Sequence, residues 1–194
     1  LFAKRLFPSS TIPTDSGGLQ STSVRGDSNF MMPKPVVDTA GALTSNNCNV
    51  NTTGYIYAFE TNFEINIKEI HINVNAVVTA GTIDIAIYSA DGQKKEMEIT
   101  TGNIAAGGII TTSVSNIKLS AGLHYCVAVP NGTTDISLYG YNRSTNMALN
   151  NPTGQPVLAG TLTVSAGTPP QTFNPVSDIT AGFGNLMLLF RLDN

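Results

Sequence analysis

The sequence predicts an all-β protein, a β-sandwich carried behind an extended N-terminal arm. Three observations predict it. Residues 63–88 alternate apolar and polar side chains over two successive segments, the period of two that sends one face of a strand into a core. From residue 50 onward turn chemistry recurs about every ten residues, the spacing of short antiparallel strands. No segment carries the 3.6-residue apolar period of an amphipathic helix.

The arm is read over residues 1–48. Ser, Thr, Pro, Gly and Asp dominate it, and Pro8, Pro13, Pro33 and Pro35 interrupt any ladder or helix. Residues 1–34 set Lys4, Arg5, Arg25 and Lys34 against Asp15 and Asp27, a charge of +2; with the whole chain at -3, the remainder carries -5. An arm of opposite sign to its body suits docking on an acidic neighbour. Phe2, Leu6 and Phe7 would share one side of a short helical turn. Phe2, Lys4, Arg5, Leu6, Phe7 and Arg25 are therefore the expected attachment residues.

The strand domain is expected over residues 49–194. Tyr55, Tyr57 and Phe59 share one face, and Phe63, Ile65 and Ile67 also fall on odd positions. Ile70, Ile72 and Val74 fall on even ones. The phase flips at Lys68-Glu69, which predicts a β-bulge or a bend where the strand changes sheets. Ile83, Ile85 and Ile87 alternate with Asp84 and Ala86. Asp91-Gly92 signals a hairpin that returns through Met97 and Ile99. A weaker strand spans 109–117, and a strong one carries Leu123, Tyr125, Val127 and Val129 before Pro130-Asn-Gly132. Ile136, Leu138 and Tyr139 follow. Residues 142–156 read as a long loop, 157–158 and 162–164 as short strands, and the stretch with Pro169, Pro170 and Pro175 as another loop. The last segment, 186–192, is apolar on both faces, as in a central strand or one beneath an interface. Eight or so such strands suit a jelly roll.

Composition narrows the function. Charged residues are 12% of the chain, about half the ordinary share, and 23 Thr and 19 Asn supply polarity instead. Nucleic acid, which needs clustered Lys and Arg, is not an expected partner. No apolar run approaches the ~20 residues of a membrane span, so membrane insertion is not expected either. Cys48 and Cys126 are expected as free thiols rather than a disulfide framework.

No motif of nucleophilic, phosphate-binding or metalloprotease chemistry occurs, and both histidines sit inside strands, so no enzyme, cofactor or metal is expected. His124 and Cys126 make half of a metal site, and nothing else in the sequence supplies the remaining ligands. With Ala128 they form a small, weakly polar face opposite Tyr125 and Val127, expected outside as a subunit interface. Glu96 and Glu98, beside Lys94 and Lys95, read as a solvated hairpin edge rather than a catalytic carboxylate pair. Tyr139, Tyr141, Asn142 and Arg143, at the lip of the long loop, combine rings with amide and guanidinium groups and are the candidate glycan contact. Arg25-Gly26-Asp27 and the acceptor-type triplets at Asn51, Asn131 and Asn142 read as chance matches in an Asn- and Thr-rich chain.

Thr79-Ala-Gly-Thr-Ile-Asp-Ile-Ala-Ile-Tyr-Ser89, Leu119-Ser-Ala-Gly-Leu-His-Tyr-Cys-Val-Ala-Val129 and Asn185-Leu-Met-Leu-Leu-Phe-Arg-Leu192 resemble the jelly-roll domains of bacteriophage virion proteins, the capsid decoration (cement) and tail or head appendage proteins. The resemblance covers residues 50–194 and lies in strand grammar rather than a diagnostic motif. It implies a structural homotrimer on the virion surface, its arm bound to capsid or tail proteins and its β domain facing outward. It brings no catalytic motif. The alternative it leaves open is a receptor-binding tail or head fibre domain that recognises a host surface glycan.

Overall fold

A computed structural model describes residues 30–31, 39–143, 154–182, 185–186 and 188–192. Among these residues every regular element is a β-strand, and every strand pairing is antiparallel. The strands form two sheets. One holds β1 (Phe30–Met31), β2 (Thr39–Cys48), β4 (Ile65–Thr79), β7 (Gly108–Leu119), β9 (Asp135–Arg143), β12 (Asn185–Leu186) and β13 (Leu188–Leu192). The other runs β11 (Ile179–Ala181), β10 (Ala159–Thr163), β3 (Thr53–Thr61), β8 (Gly122–Pro130), β5 (Ile83–Ser89), β6 (Lys95–Thr100). Within them lie two four-strand orders, β2-β9-β4-β7 and β3-β8-β5-β6. The chain changes sheets at eight of the twelve connections between these strands, β4 to β5 among them, so the two alternating segments of residues 63–88 lie in opposite sheets.

β4 carries the predicted phase flip as a bulge and stays in one sheet. Ile67 pairs with Leu192 and Glu69 with Arg191, so two steps along β4 face one along β13. The extra residue rotates the strand by half a period. Ile65 and Ile67 before it, and Ile70, Ile72 and Val74 after it, therefore all enter one core. On the other side β7 sets four steps against two, from Ile117 to Ser113. That irregularity contains Asn116, whose φ of 41° is the one positive value at a described residue other than glycine.

The core between the sheets joins these residues to Tyr57, Phe59, Ile83, Ile85, Ile87, Leu188 and Phe190. A second apolar layer lies on the far side of the six-stranded sheet. Ile56, Ala58, Ala86, Tyr88, Tyr125 and Val127 are covered there by Val157, Leu162, Val164, Phe173 and Ile179. β5 and β8 are consequently buried on both faces, although alternation at Asp84 and Ala86 suggests one solvated side. The covering segment is tied down by Phe173 N–H to Gly92 O, Val157 N–H to Pro175 O and the Gln93 amide to Phe173 O. At Gly160 a Cβ would meet Thr180 O at 2.0 Å, so only glycine lets β11 lie this close.

The sheet begins before the sequence boundary at residue 48. β2 pairs with β9 from Cys48–Ile136 to Thr39–Arg143, and Phe30 and Met31 pair with β13. Residues 39–47 carry little apolar alternation, and a ladder is made by backbone groups that need none. Phe2, Lys4, Arg5, Leu6, Phe7 and Arg25, expected in the arm, lie outside the described residues. β9 likewise continues through Arg143, past the point where the sequence reads as loop.

Candidate functional site

The face of β8 expected outside is inside. His124, Cys126 and Ala128 are buried, and Cys126 and Ala128 belong to the core between the sheets. Tyr125 and Val127 belong to the second apolar layer. Small, weakly polar residues occupy the inner face because the aromatic rings of β3 fill the space above them. His124 stacks on Phe59 at 5.5 Å between centroids, and Tyr57 pairs with Cys126 across the ladder. Residues sealed in this way cannot form a subunit interface. Both cysteines are free and buried, and burial pushes each thiol up to about 12.

His124 closes one end of the sandwich. Its Nδ1 lies 2.8 Å from Glu96 Oε2 and its Nε2 2.9 Å from the Ser120 carbonyl in the β7–β8 turn. The Thr61 hydroxyl donates to the same carbonyl at 2.8 Å. Glu96 gets there by a second bulge. Ile87 pairs with Met97 and Tyr88 with Lys95, which leaves Glu96 as the extra residue. The solvated hairpin edge predicted for the two glutamates thus holds only for Glu98, which is exposed and bridges to Lys95 Nζ at 2.7 Å. Glu96 turns inward.

A second polar row lies on the outer side of the seven-stranded sheet. The Thr111 hydroxyl is 2.9 Å from His71 Nδ1, His71 Nε2 is 3.2 Å from Glu69 Oε2, and Arg191 donates to Glu69 Oε1 at 2.7 Å. Register makes the row: His71 sits opposite Thr111, and Glu69 opposite Arg191. A hydroxyl, an imidazole and a carboxylate in series are the parts of a nucleophilic relay. Here they lie in file across a pleated face formed by β7, β4 and β13.

A shallow cleft of about 300 Å³ opens beside β10, lined by Leu162, Thr163, Pro170, Thr172, Phe173 and Asp178. Phe173 packs edge-on against Tyr88 and Tyr125. Burial pushes the Tyr125 phenol up to about 12, and Tyr88 donates to Pro170 O. Asp178 organises the rim. Its carboxylate accepts from Asn174 N–H at 2.7 Å and from the Ser177 hydroxyl at 2.7 Å, and these bonds hold it below the usual aspartate range. The Pro-rich loop was visible in sequence, but nothing in its pattern marks this cleft.

Of the expected glycan residues, Tyr139 is half-buried in β9 opposite Ser45, while Tyr141 and Arg143 pair in the ladder with Leu43 and Thr39. With Asn142 they continue a strand rather than a loop lip. Among the described residues no three His, Cys, Asp or Glu side chains converge as metal ligands, and no helix is long and apolar enough to cross a membrane. No protein-family model and no curated protein matches the chain.

Proposed function

We propose that the chain is a bacteriophage virion structural protein of the capsid decoration or cement type, a jelly roll that associates as a homotrimer on the particle surface. The observation that carries the jelly-roll part is the pair of strand orders, β2-β9-β4-β7 facing β3-β8-β5-β6. Two interleaved four-stranded sheets of this kind are what an eight-stranded jelly roll requires. The virion assignment rests on the resemblance in strand grammar and on a surface poor in charge. Its action is mechanical. The residues before the sheet bind capsid or tail proteins, and area buried at subunit junctions raises the barrier to shell rupture. Self-association falls to outward-facing residues, since His124, Cys126 and Ala128 are enclosed. The reading assigns the chain no reaction and no cofactor.

Deletion of residues 1–29 tests it, because that deletion leaves every described strand in place. The truncated protein is expected to stay folded and trimeric by sedimentation and to lose particle binding. Particle binding that survives the deletion removes the arm's role, and a full chain that sediments as a monomer at micromolar concentration removes the trimer. Electron microscopy of labelled particles locates the protein on shell or tail.

The cleft beside β10 favours one alternative, a glycan-recognising fibre domain. Its Thr163 and Thr172 hydroxyls and the Asp178 carboxylate suit neutral sugars. Staining of host cells by the full chain, abolished by Thr172→Trp, selects this reading.

A further inference from the structure

We propose that Glu96 and His124 form a proton-dependent latch that pins β6 to the β7–β8 turn and releases this end of the sandwich as pH rises. The geometry points to it because both ring nitrogens of His124 face oxygen acceptors. Nε2 faces the Ser120 carbonyl, which has no hydrogen to give, so this nitrogen carries a proton. Nδ1 faces the Glu96 carboxyl at 2.8 Å. A hydrogen bond there needs one more proton, held by the ring or by the carboxyl. Without it, a carboxylate oxygen and a ring lone pair oppose each other where His124 is 2% exposed, an arrangement that desolvated groups do not tolerate.

The surroundings do not replace that proton. From β3, Phe59 stacks on the ring and Thr61 already donates to Ser120 O. From β5, Ser89 is the register partner of His124, and its hydroxyl is committed to Asp91. Lys94 Nζ lies 3.8 Å from the other Glu96 oxygen and is mostly solvated. Lys95 and Glu98 engage each other, and Cys126, two residues along the same face, is a neutral thiol. The sign follows from proton count. Once pH passes the range in which a solvated imidazole gives up its second proton, the latched state holds a proton that the released state lacks, so the latch is lost as pH rises.

Hydrogen exchange on the full chain tests the proposal, with amides of residues 94–97 and 119–123 followed between about pH 5 and pH 9 and corrected for intrinsic rates. The wild type is expected to show a rise of about tenfold in these amides at the alkaline end, and little change in β4. E96Q is expected to abolish the rise, because an amide N–H donates to Nδ1 of a neutral ring without the extra proton. H71Q, which alters the only other histidine, is expected to keep it. An E96Q profile that parallels the wild type overturns the latch, as does an H71Q profile that loses the rise. Should E96Q fail to fold, the nitrogen chemical shifts of the wild-type His124 ring decide. Loss of the proton shared at Nδ1 must coincide with the faster exchange, and its loss while the turn stays protected overturns the proposal.

Discussion

Replacing Phe59 with alanine is expected to cost about 3–5 kcal/mol of folding stability, the range for truncating a buried phenylalanine. The ring is fully buried and meets three others: Tyr57 at 6.1 Å, His124 at 5.5 Å and Phe190 edge-on at 5.6 Å. Two of these partners stand on neighbouring positions of the six-stranded sheet and Phe190 on the opposite one. The cavity would therefore open between the sheets, where neither can collapse without shifting a ladder. A domain holds about 5–15 kcal/mol in all, so the loss is a large fraction of it. For a chain of 194 residues the melting temperature should fall by about 6–20 °C, at roughly 2–4 °C per kcal/mol. Phe59→Leu keeps most of the apolar volume and loses the ring contacts, worth about 0.5–1.5 kcal/mol each, and should fall between the two. Val78→Ala, at a side chain 79% exposed, is the control and should stay within about 0.5 kcal/mol. The assay is urea unfolding with calorimetry alongside. Equal costs for Phe59→Ala and Val78→Ala would refute the packing of the two sheets on this ring.

The inward face of β8 makes a sharper qualitative prediction. Cys126→Asp should leave the protein unfolded or insoluble, since an unpaired buried charge costs several kcal/mol, whereas Ile109→Asp, at a position 69% exposed, should fold normally; a folded Cys126→Asp would return this face to the surface. Both thiols should resist a disulfide reagent at about pH 8 until denaturant is added, because burial raises each to about 12; rapid native-state labelling of either counts against the core. Asp178 is held below its ordinary value by Asn174 N–H and Ser177. Its contribution is therefore present above the unfolded aspartate range and lost as pH falls below about 4, so exchange at the Asn174 amide should accelerate in acid, and a flat profile would show that the carboxylate does not order this loop.

A period of two was enough to determine the strands themselves. β3, β4, β5, β7 and β8 were legible because alternation is a local consequence of the pleat, and the flip at Lys68-Glu69 was legible as a bulge because the two halves of β4 must share one core. Which side of a strand is covered is not local. On β8 both faces are apolar enough to bury. The choice was made by Phe59 and Tyr57 on one side and by the segment around Phe173 on the other, none of them near in sequence. β2 was invisible for the opposite reason, since its backbone is held by β9 whatever its side chains are. The Glu96–His124 contact needed a bulge in β6 and a turn 24 residues further on to be brought together. Alternation depends on a residue's own strand, whereas burial and charge pairing depend on what the rest of the chain lays against it.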